Sequence, residues 1–223
     1  MTKNVLIVSP HADDEVLGCG GSIARHVAQG DNVFIHIVTK AIPQIFSADY
    51  MDTVRAEALE AHARLGVKET MFTDFPAPML DQTPGYEIAD AINEVAGPWE
   101  IDWAYVPWRG DIHSDHRAVF DAALVAFRPT TRNAVSRIMA YETLSETEWA
   151  LPFGDDFFKP TMFVNIEDHL SAKLDAMRKF GSQLRDFPSS RSLEAIEALA
   201  RYRGATVGVH AAESFVTIRE TLI

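Results

Sequence analysis

The chain has 223 residues, 47% hydrophobic and 23% charged, enough apolar material for the core of one large domain. A formal net charge of −12 excludes the basic surface that a nucleic acid or an anionic membrane calls for, though not a small ligand held by local arginines. The single cysteine, Cys19, excludes an internal disulfide and a cysteine-rich zinc site, and it suits a reducing cytoplasm.

"MTKN" runs directly into the apolar "NVLIV" (4–8), which reads as a strand buried on both faces and leaves no room for a signal peptide. "GSIARHVAQG" (21–30) reads as a helix stopped by Gly30, and "NVFIHIVT" (32–39) as a second strand. A helix over 53–66 and a strand over 69–75 follow, then a helix over 86–97 and a strand over 102–108. "SDHRAVFDAALVAF" (114–127) opens like a capped helix at Ser114, and "VSRIMAYE" (135–142) is a fifth strand. Beyond it come "FVNI" (163–166), helical text across 168–203 and a last strand over 214–221. The irregular stretches 39–52 and 142–160 have the Pro, Gly and aromatic content of loops that wall a pocket.

Alternating strands and helices predict one domain over 1–223, an α/β Rossmann-like fold with a mostly parallel sheet and helices on both faces. No apolar run reaches membrane-spanning length, so a soluble protein with no membrane or nucleic-acid partner is expected.

Two stretches carry more chemistry than a fold requires. "SPHADDEVLGCGG" (9–21) follows the first strand, and "WRGDIHSDHRA" (108–118) follows the fourth. With a strand order of 3-2-1-4-5, both lie at the carboxyl edge where ligands bind. His11, Asp13 and Asp14 would then face His113, Asp115 and His116 across one crevice. Two imidazoles and a carboxylate suit a catalytic zinc, which keeps a position open for water. A further carboxylate takes a proton there, and a further imidazole stabilises an oxyanion or protonates a leaving amine. Glu15 reads equally well as support for the site or as part of an acidic helix start. Trp108 and Arg109 either line the mouth for substrate or pack the strand end. "GCGG" stands too far past the strand, behind three acids, to hold a pyrophosphate, and it reads as close helix–sheet packing.

"PHADDEVLG" with "HSDH" resembles the PIG-L (LmbE-like) family of zinc-dependent deacetylases acting on N-acetylglucosamine derivatives. "TVRAEALEAHARLG", "YETLSETEW" and "YRGATVGVHAAESF" extend the resemblance over most of the chain. It implies His11, Asp14 and His116 as ligands of Zn2+, with Fe2+ as the other divalent ion to consider. By the same resemblance Asp13 is the general base, His113 assists the oxyanion or leaving group, Asp115 orients His113, and Arg55 binds substrate. A small N-acetylated amino sugar or glycoconjugate is the implied substrate, acetate the product, and a homo-oligomer the usual assembly. Ala12 and Ser114 stand where the family commonly has proline, and Ala211 stands for a common tyrosine beside His210. These changes leave the ligands intact and loosen the assignment of substrate.

Three alternatives remain at this stage. One is a zinc amidase cleaving another sugar-linked amide. A metallo-β-lactamase-like hydrolase is suggested by "DIHSDH", but Asp111 replaces that motif's first histidine and the alternating elements disagree. A non-catalytic sugar-binding protein would leave Asp13 and His113 without work.

Overall fold

A computed structural model describes residues 2–222 of the chain. The strands are β1 (Asn4–Ser9), β2 (Asn32–Ala41), β3 (Glu69–Ala77), β4 (Trp103–Pro107), β5 (Arg137–Tyr141), β6 (Met162–Asn165) and β7 (Ala212–Glu220). The helices are α1 (Asp14–Ala28), α2 (Ala48–Leu65), α3 (Gly85–Ala96), α4 (Ser114–Ala126), α5 (Leu170–Met177) and α6 (Leu193–Ala205). One seven-stranded sheet runs in the order β3-β2-β1-β4-β5-β7-β6. The first five strands are parallel, whereas β7 pairs antiparallel with both β5 and β6.

β1 is almost wholly buried because it has a neighbour on each edge and a hydrophobic layer on each face. Val5 and Ile7 pack into the layer under α1, α2, α5 and α6, while Leu6 and Val8 pack into the layer under α3 and α4. The chain leaves β1 for β2 on one side and reaches β4 on the other. The ends of β1 and β4 therefore flank the switch point, where neither crossover covers the sheet edge. This single layered sheet is not the sandwich that the β-lactamase alternative needs. No helix among the described residues is long and apolar enough to cross a membrane.

The largest differences from the sequence reading are in three helical stretches. α1 starts at Asp14, a full two turns before residue 21, and takes in "GCGG". Glycine disfavours helix in isolation, but here close packing decides. A Cβ on Gly18 would lie 2.3 Å from the Tyr141 ring, and one on Gly21 would lie 2.6 Å from Ile166. α2 starts at Ala48 behind Ser47, whose hydroxyl accepts the Tyr50 N–H at 3.2 Å, so residues 48–52 of the expected loop are helix. The helical text of 168–203 is interrupted between α5 and α6, and that break brings Arg191 to the carboxyl edge of the sheet.

Candidate active site and metal centre

The turn after β1 is built around a strained residue. Asp13 caps α1 with φ 118° and ψ −29°, a conformation that costs a non-glycine residue about 1–3 kcal/mol. Its carbonyl accepts the N–H groups of Val16 and Leu17, and its own N–H donates to Glu15 Oε2 at 3.1 Å. Ser9 donates to the same Glu15 oxygen at 3.1 Å, and His62 Nε2, on α2, meets the other at 2.9 Å. Glu15 and His62 are both buried. The "DDE" run is thus no repelling row: Glu15 turns inward to hold the turn, Asp14 faces two imidazoles, and Asp13 pairs with Arg191.

Asp14 Oδ2 lies 3.2 Å from His11 Nδ1 and 3.2 Å from His116 Nε2. One donor atom from each of the three residues lies within 4.8 Å of the other two, a separation that one metal ion can span. The remaining hydrogen bonds free those atoms for a metal. His116 Nδ1 donates to Asp111 Oδ2 at 2.7 Å, which leaves Nε2 as its lone-pair nitrogen. Thr147 donates to the other Asp111 oxygen at 2.6 Å. His11 Nε2 donates to Asp115 Oδ2 at 3.1 Å, which leaves Nδ1 facing Asp14. Asp14 Oδ1 and His116 Nε2 are buried with no hydrogen-bond partner, a costly state that a cation would relieve. The donor set fits a divalent ion with nitrogen and oxygen ligands.

Without a cation, the same contacts pull the charges of these groups apart. Burial works to raise Asp14, but His116 and His11 outweigh it and hold the carboxyl well below its usual range. Burial opposes charge on His11 too, yet Asp115 and Asp14 lift it to about 9. Asp13 is pushed up to about 7 by burial, against the pull of Arg191. A cation on Asp14 would lower it again. His113 is depressed to about 4 by burial and by the neighbouring His11, so it stays neutral. As the N-cap of α4, its Nδ1 accepts the Asp115 N–H at 3.2 Å, which places the ring proton on Nε2.

A cleft opens beside these groups, with His11, Asp13, His113 and Arg55 among its walls. Arg55 pairs with Asp74 at the rim and lies over the Phe72 ring. The 39–52 stretch lines the cleft through Lys40, Phe46 and Tyr50, and the 142–160 stretch through Glu146, which burial and Asp14 raise to about 7.

Other expected residues lie elsewhere. The Asp115 carboxylate serves His11 and the Leu80 N–H rather than His113, whose ring is held by the Asp115 backbone. Trp108 and Arg109 do not line the cleft. The Trp108 indole donates to the Asp156 carbonyl at 2.8 Å, and Arg109 pairs with Asp121, because both side chains turn toward α4 and the 142–160 loop. His210 is exposed, its N–H facing Glu167. Three further participants escaped the sequence reading. Arg191 lies between Asp13, Ser145 and Gln183 at the cleft, Asp111 orients His116, and His62 anchors Glu15.

Residues 6–127 match the family model described as PIG-L: GlcNAc-PI de-N-acetylase. The chain belongs to the PIG-L family. Its reaction class is hydrolytic N-deacetylation. A relative in Escherichia coli (strain K12), the uncharacterized deacetylase YaiS, is 29% identical over 189 residues, 81% of this chain and 91% of that protein. The conserved protein TT1542 from Thermus thermophilus superposes with a TM-score of 0.77 at 26% identity, covering 100% of this chain and 97% of its own. The N,N'-diacetylchitobiose deacetylase from Pyrococcus horikoshii, complexed with an inhibitor, has a TM-score of 0.77 at 23% identity, covering 97% and 84%.

Proposed function

We propose that this PIG-L deacetylase uses one divalent metal, zinc by the chemistry of its donors, to hydrolyse the acetamide of an N-acetylated amino sugar or its conjugate, releasing acetate. The observation that carries this reading is the pair of unpartnered buried atoms, Asp14 Oδ1 and His116 Nε2, beside a carboxylate that the metal does not need. The names of the family and of the chitobiose deacetylase support the substrate class.

His11, Asp14 and His116 would hold the ion, with Asp115 and Asp111 fixing the two imidazoles. Bound there, a divalent cation supplies Lewis acidity toward the amide carbonyl and toward water. Asp13 takes the proton of the attacking water, and Arg191 fixes which carboxylate oxygen is free to do so. His113, neutral and protonated on Nε2, donates a hydrogen bond to the carbonyl oxygen as negative charge develops there. Protonated Asp13 then returns its proton to the leaving amine. Arg55, at the rim, binds a polar group of the substrate.

An acetate-release screen against N-acetylated amino sugars, with metal content measured in parallel, tests the reading. Protein carrying one metal per chain that releases no acetate from any of them would refute the substrate class. Full activity after complete removal of metal would refute the mechanism. His113→Gln should keep its metal and lose about 10²–10⁴-fold in kcat, the range of general acid–base and oxyanion groups.

A further inference from the structure

Three acids fall within "YETLSETEW", and the fold uses only two of them. Glu142 is held by Arg203 and the Ser214 hydroxyl, and both Glu148 oxygens accept the Ser145 N–H, at 2.7 and 2.9 Å. Glu146 lines the cleft, and among the described residues no group donates to its carboxylate.

The turn that carries Glu146 is tightly fixed. Ser145 takes a left-handed φ of 76°, which few residues other than glycine adopt, and its hydroxyl accepts Arg191 Nε at 2.8 Å. Thr147 accepts the Thr143 N–H at 2.8 Å and donates to Asp111, the acid that orients His116. The Glu146 carbonyl accepts the Ile112 N–H at 3.3 Å. A strained turn tied to the partners of both Asp13 and His116 thus holds Glu146 at the cleft, yet its carboxylate takes no part in that bonding. Strain kept around a side chain with no donor inside the protein points to a donor that comes from outside.

A half-buried carboxylate has lost part of its hydration and gains from a hydrogen bond that enters with a ligand. Burial and Asp14 act against its charge, whereas His116, Arg191 and His11 favour it, so these four groups lie close by. Glu146 therefore faces the part of a ligand next to the reacting amide, not a remote end. An acetyl methyl has no hydrogen to donate, and in the proposed mechanism Asp13 serves the amide nitrogen. The nearest remaining donors on an amino sugar are the hydroxyls on the two carbons that flank the acetamide-bearing carbon.

We infer that Glu146 sets substrate specificity: its carboxylate accepts a hydrogen bond from a sugar hydroxyl that flanks the acetamide. The inference rests on the deacetylase reading for where the amide lies. In N-acetylglucosamine two hydroxyls share this chemistry, those on C1 and C3.

The test uses metal-loaded protein with N-acetylglucosamine, its 3-deoxy analogue and its 1-deoxy analogue. Both kcat/KM and Kd by calorimetry are measured for the wild type, Glu146→Ala and Glu146→Gln, with metal content and thermal unfolding as controls. The wild type should react about 10–100-fold worse with one deoxy analogue, the usual loss when a hydrogen bond to a charged group is removed, and the analogue that suffers identifies the hydroxyl. Glu146→Ala should treat that analogue and the parent sugar alike. Glu146→Gln, which keeps a carbonyl acceptor at the same reach, should retain part of the preference. Indifference of the wild type to both hydroxyls would overturn the inference. So would a preference undiminished in Glu146→Ala, or in Glu146→Gln should the alanine variant not fold, because a merely structural or electrostatic role slows all three sugars equally. If no sugar is deacetylated, Kd decides. A preference for the hydroxyl that Glu146→Ala abolishes keeps the subsite while the deacetylase reading falls, and no preference removes both.

Discussion

Two adjacent aspartates with opposite surroundings carry the proposed chemistry at the scale of single residues. Asp14 lies between two imidazoles, whereas Asp13 is bent to φ 118° and paired with Arg191. Asn keeps the shape of Asp but cannot take a proton as a carboxylate does. Asp13→Asn should therefore retain its metal and lose at least about 10²-fold in kcat, while Asp14→Asn should lose metal affinity first and recover part of its activity in excess zinc. Metal titration with steady-state kinetics separates the two, and rescue of the Asp13 variant by zinc would exchange the roles. The bend at Asp13 leads to a second prediction. His62 reaches it only through Glu15, so it is a positioning residue. His62→Leu strips Glu15 Oε1 of its partner and should lower kcat more than it raises KM at unchanged metal content. His62→Gln, which can still donate, should recover most of that loss. Equal kcat in all three proteins would remove His62 from the machinery. The cluster of His11, Asp14 and His116 could be read in the sequence because each residue follows a strand end within a short, chemically dense motif. Arg191, Asp111 and His62 could not. Arg191 lies in text that scans as helix, Asp111 looks like an ordinary turn acid, and His62 points at Glu15 from a helix whose start was misjudged by five residues.

At the scale of elements, the mostly parallel sheet followed from alternation, and helix limits failed where packing overrides propensity. α1 shows why. Its glycines face Tyr141 and Ile166, and beside them Lys173 donates to the Leu17 carbonyl at 2.7 Å while Glu213 accepts the Gly21 and Ser22 N–H groups at 2.8 and 2.7 Å. None of these partners is near α1 in sequence. Gly→Ala inside a helix ordinarily stabilises by about 0.5–1 kcal/mol, but a Cβ on Gly21 would overlap Ile166. Gly21→Ala should therefore destabilise by about 1–3 kcal/mol in urea unfolding, and any gain in stability would show that this interface can yield. β2 makes a different prediction. His36 is fully buried, its Nε2 donates to Thr73 at 3.0 Å, and its Nδ1 has no partner. Burial depresses it to about 4. The unfolded chain protonates this histidine near 6.5 and the native chain does not, so its contribution is complete above pH 6.5 and falls away as pH drops toward 4. Between about pH 7 and 5 the wild type should lose about 2 kcal/mol more than His36→Gln. Parallel losses would show that His36 finds an acceptor when charged.

The whole molecule gathers acids that would otherwise oppose folding. Asp13, Asp14, Glu15, Asp111 and Asp115 are all buried at one crevice of a chain that already carries −12. Arg191 and His11 offset part of that charge, yet Asp14 Oδ1 and His116 Nε2 remain without hydrogen-bond partners. The site is assembled by the sheet rather than by any one segment, because Asp14 follows β1 and His116 follows β4. An unfolded chain cannot present these ligands together, so metal binding must appear as stability of the whole fold. At a free zinc concentration about a thousand times Kd, the native state should gain about 4 kcal/mol. For a chain of this size that is a rise in Tm of about 8–16 °C. The gain should vanish with a chelator and be mostly absent in His116→Ala, which removes one proposed ligand and leaves Asp111 Oδ2 without its imidazole partner. Calorimetric scans of both proteins, with zinc and with chelator, measure it without reference to any substrate. An unchanged wild-type Tm across that series would mean that the three residues do not form a metal site in the folded protein, and the buried acids would need another explanation.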